Sequence, residues 1–260
     1  MKRWPLARAL RCGLELARAL RYCHDDAIAN MRVLHRDIKP NNIGFLADGR
    51  LVLFDFGLAS LWPRSGSAED DAPRALTGET GSLRYMAPEV ALNRPYNHKA
   101  EVFGFASVLW EMAAHVKPFA TSSTENFLSA LSQGARPAVP KKWPVPLQQL
   151  LRECWDADQA KRPEFSELVP RLEELHANLD TAAFAVEESP RSKSPVVAPH
   201  TGYQSISPTF LRSLGLHRSR SLPAKFARSR LKTTMIDCSR SGTNAATTTI
   251  SVAHGGGSEY

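Results

Sequence analysis

One stretch of the chain, with a short motif after it, constrains the molecule more than any other feature. The stretch is Leu34-His35-Arg36-Asp37-Ile38-Lys39-Pro40-Asn41-Asn42, and an apolar run separates it from Asp55-Phe56-Gly57. Two carboxylates, a lysine and an amide therefore follow one another in a set order. Carboxylate and amide oxygens are ligands that Mg²⁺ accepts, and a lysine ammonium can face a phosphate. This combination predicts a site for phosphoryl transfer from a metal nucleotide to a hydroxyl group.

Taken one at a time, these residues favour a structural interpretation, because a lone Asp-Phe-Gly is a turn and Asp-X-Lys-Pro a solvated loop. Taken together, the two motifs resemble the catalytic loop and the metal-binding motif of the eukaryotic protein kinases. The resemblance implies that Asp37 orients the substrate hydroxyl and accepts its proton, while Lys39 faces the transferred phosphate. It also implies that Asn42 and Asp55 hold Mg²⁺ and that Gly44 lies under the adenine of ATP.

Hydrophobic periodicity predicts mostly helices around this site. We expect helices over residues 6–24, 98–112, 124–131, 147–155 and 164–179, a short strand at 33–34, and a hairpin of 43–45 with 51–53 around Asp48-Gly49. These elements resemble the large, C-terminal lobe of a protein kinase, which is mainly α, a helical bundle with short β-hairpins at the catalytic face. The predicted domains are a large-lobe kinase fragment over residues 1–180 and a disordered tail over 181–260.

The residues from Asp55 to Glu89 resemble the activation segment of a kinase. Residues 63–73 are rich in Ser, Gly, Ala and acids without periodicity, which is typical of a mobile loop. The segment closes on Ala87-Pro88-Glu89, and the resemblance implies that Glu89 pairs with a distant arginine. An upstream kinase could activate the protein by phosphorylating a threonine that an arginine then clamps; the alternative is that the threonines are only polar loop residues. The arginine that could clamp the phosphate is Arg36, and the candidate threonines are Thr77 and Thr80. Ser82 is a further candidate residue of the segment, and Arg162 is the arginine expected to pair with Glu89.

Lys39, two residues after Asp37, is typical of the serine/threonine kinases. The residues around Met86 and Trp110 resemble the tyrosine-kinase-like branch, so we expect a protein serine or threonine hydroxyl as the substrate. Two positions depart from the family. Glu101 stands where an aspartate usually braces the catalytic loop, and we expect strain there. Gly44 replaces a bulkier apolar residue, which should remove about 1–2 kcal/mol of contact with the nucleotide.

A complete kinase begins with a small β-rich lobe that carries a glycine-rich loop, a strand lysine and a helix glutamate. No Gly-X-Gly-X-X-Gly precedes Asp37 and no Val-Ala-X-Lys strand is present, so the resemblance covers residues 5–178 and the large lobe alone. The first hypothesis is an ATP-dependent serine/threonine kinase whose small lobe lies elsewhere. The second is a catalytically inactive large lobe, a pseudokinase that binds proteins. The third is an RNA-associated protein acting through a basic tail.

The positive charge lies mostly at the end of the chain. Residues 186–260 hold ten Lys or Arg against four Asp or Glu, which accounts for +6 of the total charge of +7. The rest of the chain is close to neutral, which argues against nucleic-acid binding by the globular part. The tail carries Ser-Pro sites for proline-directed kinases and an Arg/Ser-rich motif resembling 14-3-3 ligands. Its candidate phosphorylation sites are Ser189, Ser194 and Ser207 for the first type and Ser221 for the second.

The cysteines and the hydropathy of the chain indicate the compartment. Cys12, Cys23, Cys154 and Cys238 are dispersed and form no metal-type pair, which fits a reducing environment. No apolar run reaches the length of a membrane span, and we expect a cytoplasmic protein, with an upstream receptor or membrane segment left open. The arginines of the first turns could belong to an organelle transit peptide, but their leucine spacing favours a core helix.

Overall fold

The computed structural model describes residues 4–76, 81–187 and 236–237. Its helices are α1 (Leu6–Arg21), α2 (Pro88–Ala91), α3 (Ala100–Ala114), α4 (Thr124–Ser132), α5 (Val145–Cys154) and α6 (Phe165–Glu187). Its strands are β1 (Met31–Leu34), β2 (Ile43–Phe45), β3 (Leu51–Leu53), β4 (Ser60–Pro63) and β5 (Ile236–Asp237). The predicted mainly helical lobe with short hairpins is therefore confirmed.

Helix α3 is the centre of the core. Every residue from Ala100 to Trp110 is buried, because apolar side chains occur on all sides of this helix and leave no polar face. Helix α1 packs closely against it at Gly13, where an added Cβ atom would lie 2.6 Å from Cδ1 of Leu109. A side chain at this glycine would force the end of the Leu109 side chain to move, so Gly13 lets α1 and α3 pack closely.

A π-helical turn, Tyr22–Asp26, continues α1 and accounts for the predicted helix end near His24. The chain then enters β1, which pairs antiparallel with β4 in a register that places Arg32 opposite Trp62. The predicted hairpin is present as β2 and β3, with Gly44 opposite Val52. Strand β4 was not predicted. Its partner β1 lies far away in the sequence, and no alternation of apolar and polar residues marks it.

Helices α3, α4 and α5 agree with the predicted ones within a few residues, as does the start of α6, whereas the short helix α2 was not predicted. Helix α6 continues to Glu187 and so crosses the domain boundary predicted at residue 180. Of the predicted tail, the structure describes residues 181–187, which end α6, and Ile236–Asp237, which pair antiparallel with β3. The division into two domains stays a prediction.

Three cysteine side chains belong to the apolar core. Cys12, Cys23 and Cys154 are buried and form no disulfide among the described residues, and burial raises the pKa of the Cys154 thiol well above its ordinary value. Among the described residues, no helix combines the length and the apolar character that crossing a membrane requires.

Candidate active site

The loop between β1 and β2 brings three of the predicted site residues together. Nζ of Lys39 lies 2.6 Å from Oδ2 of Asp37. The side-chain amide of Asn42 donates to the backbone oxygen of Asp37 at 2.8 Å and to its Oδ2 at 3.1 Å. The other carboxylate oxygen, Oδ1, is buried and has no hydrogen-bond partner in the part of the chain that the structure describes. Asp37 is thus held through one carboxylate oxygen, while the second is buried and makes no hydrogen bond among the described residues.

His35 joins this loop to the metal-binding motif. Its Nε2–H donates to the backbone oxygen of Phe54 at 3.1 Å, and its Nδ1 accepts from the backbone N–H of Asp37 at 3.2 Å. The ring also packs on Phe56, with 4.6 Å between the ring centroids. Both nitrogens are therefore used, which fixes the tautomer of the ring. The residue before Asp55 and the catalytic loop consequently move as one unit.

Two residues of the site have unusual backbone conformations. Arg36 and Asp55 both have φ of 67°, in the left-handed region that non-glycine residues rarely adopt. The Arg36 backbone is held there by Glu101 of α3, whose Oε1 accepts from the Arg36 N–H at 2.6 Å. Strained backbone of this kind persists only where surrounding contacts enforce it, and it commonly occurs at functional sites.

Glu101 braces the catalytic loop as the resemblance implied for this position. Its Oε1 binds the loop and its Oε2 lies 2.7 Å from Nε2 of His24. Burial raises the pKa of Glu101, but the interactions with His24 and with the Arg36 N–H outweigh burial and hold that pKa below its ordinary value. The longer side chain is thus accommodated by a histidine from the turn after α1, and the carboxylate remains ionised.

The donor set fits a magnesium nucleotide. Both hydrogen bonds of the Asn42 amide use its nitrogen, so the amide oxygen keeps its lone pairs for a cation. Asp55 is exposed, and its Oδ1 accepts only a long contact of 3.4 Å from the Gly57 N–H. An amide oxygen and an exposed carboxylate are oxygen ligands suited to Mg²⁺. Asn42 and Asp55 could therefore hold the metal and its phosphates.

The space above Gly44 is filled by another residue. A Cβ atom at Gly44 would lie 3.0 Å from Cε1 of Phe54 and 3.6 Å from Cγ2 of Val52. The Phe54 ring therefore lies where a larger side chain at position 44 would be, and the loss of contact with the nucleotide stays a prediction. The sequence did not reveal this packing, since it depends on the register between β2 and β3.

An open groove of about 350 Å³ begins at Lys39. Lys39 and Asn41 form one side, and the chain between Ser82 and Tyr85 forms another. Gly81 brings that chain onto the catalytic loop: its φ is +107°, and an added Cβ would lie 2.6 Å from the backbone oxygen of Arg36 and 3.2 Å from Oδ1 of Asp37. Ser82 thus lines a groove beside the catalytic residues, whereas Gly81 is a site residue that the sequence analysis missed.

The predicted ion pair between Glu89 and Arg162 is present. Nη1 and Nη2 of Arg162 lie 2.6 Å and 2.9 Å from the two oxygens of Glu89, and Arg162 also donates to two backbone oxygens, of Asp156 and Lys99. This bidentate contact anchors the closing motif of the activation segment to the chain before α6.

Other candidates cannot be placed in the same way. Thr77 and Thr80 lie outside the described residues, as do Ser189, Ser194, Ser207 and Ser221. Nε of Arg36 donates to the hydroxyl of Tyr96 at 3.1 Å. The contact between Arg36 and a phosphorylated threonine stays a prediction.

The family is established by comparison with known proteins. Residues 2–172 match the family model described as "Protein tyrosine and serine/threonine kinase", which covers more than half of the chain. The chain therefore belongs to the protein kinase family. The expected serine/threonine type within the tyrosine-kinase-like branch is confirmed by the relatives that follow.

The chain is similar to several curated kinases. It is 37% identical to "Serine/threonine-protein kinase VIK" of Arabidopsis thaliana over 66% of this chain and 38% of that protein. It is 32% identical to "Serine/threonine/tyrosine-protein kinase HT1" of the same organism, over 63% of this chain and 39% of HT1. "Probable serine/threonine-protein kinase drkC" of Dictyostelium discoideum is 34% identical over 66% of this chain and 22% of drkC. The chain thus spans less than two fifths of the length of these relatives.

Proposed function

We propose that this chain is the large lobe of a protein serine/threonine kinase, which transfers a phosphoryl group from Mg-ATP to a protein hydroxyl once a small lobe completes the site. The observation that carries the proposal is the buried, unpartnered Oδ1 of Asp37 beside Lys39. Asp37 would orient the substrate hydroxyl and accept its proton, and Lys39 would neutralise charge on the phosphate. Mg-ATP, when bound, supplies the phosphoryl group and the metal charge.

The groove at Lys39 supports a peptide substrate. It continues from the catalytic loop along Ser82 and Leu83 to Lys117, so a peptide lying in it would pass Lys39, whose Nζ lies 2.6 Å from Oδ2 of Asp37. The names of VIK and drkC favour serine or threonine as the acceptor, while the name of HT1 includes tyrosine as well. An upstream activating kinase, 14-3-3 binding through the tail and a cytoplasmic location stay predictions from the sequence.

The second candidate function is a protein-binding module without catalysis. Two large apolar side chains next to the site, Phe45 and Leu58, are 45% and 41% exposed. Apolar side chains exposed in this way are suited to contact with another domain or protein. In the first function a small lobe would cover these two side chains, and in the second function an unrelated protein would cover them.

The experiment that separates the two is a phosphoryl-transfer assay with labelled ATP and Mg²⁺ on peptides that differ only in carrying Ser, Thr or Tyr. The chain should be assayed alone and with a kinase small lobe fused before Leu6. We expect transfer to Ser and Thr from the fusion and none from the 260-residue chain alone. A well-folded fusion without transfer would contradict the enzymatic function and leave the binding module.

A further inference from the structure

The first half of the activation segment is docked on the chain before α3. The backbone N–H of Arg74 donates to the oxygen of Tyr96 at 3.0 Å, and the Tyr96 N–H donates back at 3.1 Å. Next to this bridge, the side-chain amide of Asn97 donates to the backbone oxygen of Asp71 at 2.6 Å. These contacts fix residues 71–74, which overlap the end of the stretch 63–73 that the sequence predicted to be a mobile loop.

A buried arginine faces the docked segment. Oδ1 of Asp71 lies 3.2 Å from Nη2 of Arg32, whose side chain is only 8% exposed. Nε and Nη1 of Arg32 are buried and have no hydrogen-bond partner within the described residues. The pair with Asp71 is also the one ion pair that Arg32 makes in that part of the chain. A buried guanidinium without a compensating anion is strongly unfavourable, so Asp71 has a large effect on where this segment can lie.

A histidine on the α3 side faces the same carboxylate. Nδ1 of His98 lies 3.8 Å from Oδ1 of Asp71 and is likewise buried and unpartnered within the described residues. Its other nitrogen, Nε2, lies 2.9 Å and 3.0 Å from the two oxygens of Glu164, which Lys99 approaches to 3.3 Å. The Asp71 carboxylate is therefore the acidic group placed between Arg32 and the free nitrogen of His98.

The cluster continues to the catalytic loop. The ring of His98 meets the ring of His24 edge-on, with 5.6 Å between centroids. His24 binds Glu101, and Glu101 holds the backbone N–H of Arg36. A series of side-chain contacts thus leads from Asp71 to Arg36, the residue before Asp37.

A metal ion is a weaker explanation of the same residues. Asp71, His98 and Glu164 each offer a ligand atom within 4.8 Å of the others. However, Arg32 and Lys99 already lie 3.2 Å and 3.3 Å from the two carboxylates. A divalent cation between them would be repelled by two positive side chains.

We propose that Asp71 is a positioning residue: its carboxylate, held by Arg32 and His98, fixes the first half of the activation segment against α3 without a phosphate. The docking rests on geometry alone, and only its effect on catalysis depends on the proposed kinase function. An acidic side chain thereby performs a task for which the sequence suggested a phosphorylated threonine.

Hydrogen exchange of the unphosphorylated chain tests the docking. The Arg74 and Tyr96 amides report on the bridge, and Asp71→Asn removes the charge while preserving the shape of the side chain. We expect these amides to exchange roughly tenfold faster in Asp71→Asn, since the lost interaction involves two charged groups. The control Glu69→Gln removes a charge that makes no ion pair among the described residues and should leave both rates unchanged.

Rescue and catalysis complete the test. Asp71→Glu restores the negative charge and should return most of the protection, which a loss of general stability would not explain. In the fusion with a small lobe, Asp71→Asn should raise KM for the peptide several-fold and leave KM for ATP unchanged. Equal exchange rates in the wild-type chain and Asp71→Asn would overturn the proposal, whether or not the fusion is active. An inactive wild-type fusion would count against the proposed function alone.

Discussion

Two acid-base pairs in this protein have the same chemistry and equally buried carboxylates, but they differ at the cation and in their hydrogen bonds. In the pair of Lys39 with Asp37, the lysine lines the open groove and is 25% exposed, while the carboxylate is 7% exposed. The pair of Arg162 with Glu89 lies in the core, with side chains 0% and 9% exposed. Arg162 uses both terminal nitrogens on Glu89 and its Nε on a backbone oxygen. At the groove, one Asp37 oxygen stays unpartnered within the described residues.

The difference separates a pair that we propose takes part in catalysis from a pair that holds structure. A fully satisfied buried pair gains little from any further ligand, and breaking it leaves an uncompensated charge. A pair with a spare acceptor costs free energy in the folded protein, and this cost is regained when a substrate hydroxyl donates to it. Substitutions at the two pairs should therefore affect different measurable quantities.

The largest effect should come from Asp37→Asn. In the fusion with a small lobe, we expect the rate of phosphoryl transfer to fall by about 10²–10⁴, which is typical for loss of a positioned base. The free energy of unfolding should change little, because asparagine preserves the shape and Lys39 stays partly solvated. The control is Asp48→Asn, on the exposed hairpin turn. An unchanged rate in Asp37→Asn would remove the assignment of this residue.

Arg162→Met, unlike Asp37→Asn, should change the free energy of unfolding. Removing the guanidinium leaves Glu89 buried and unpaired, which should lower the free energy of unfolding by about 3–5 kcal/mol in urea titrations. The control Arg171→Met breaks an exposed pair with Glu153 and should cost no more than about 1 kcal/mol. If the two variants were equally stable, the structural role of the buried pair would be wrong.

A smaller loss of stability is expected when the packing at Gly44 is changed. Gly44→Leu places a side chain where the Phe54 ring already lies, and overpacking of this kind costs about 1–3 kcal/mol. The double variant Gly44→Leu/Phe54→Ala should recover part of that loss in the same titrations. No recovery would show that the two positions do not share the space.

The smallest effect on stability is expected for Glu164, a half-buried carboxylate that pairs with both His98 and Lys99. Burial raises the pKa of Glu164, but these two partners outweigh burial and lower it from 4.5 to about 2. Because the folded pKa is the lower one, the stabilisation is present above about pH 4.5 and is lost as the pH falls toward 2. Unfolding titrations of Glu164→Gln should show a difference from wild type that shrinks over this range. Glu174→Gln, at an exposed position of α6, should show none.

Much of the site could be predicted because its residues are close in sequence and their order carries the chemistry. Asp37, Lys39 and Asn42 lie in one loop, and the hairpin around Asp48-Gly49 delivers Asp55 after it. The pair of Glu89 with Arg162 spans a long distance, and the resemblance to the kinases supplied it. These predictions needed no knowledge of how the strands align.

Other features depend on contacts that no local pattern encodes. Strand β4 forms because β1 offers an edge, and Asp71 finds Arg32 only once that pairing is in place. The Phe54 ring fills the space beside Gly44 through the register of the strands. Gly81 gave one local signal, a glycine shortly before the closing motif, but its close approach to Arg36 appears only when the segment has folded back.

Alkylation of the buried thiols of Cys12, Cys23 and Cys154 can report where the lobe opens. A thiol reacts as the thiolate in contact with solvent, so an alkylating reagent can modify these residues only in molecules where the surrounding helices have separated. Cys12 lies in α1, Cys23 in the π-helical turn after it, and Cys154 at the end of α5. The order in which mass spectrometry finds them modified therefore shows whether the lobe opens first beside the active site or at the far helices.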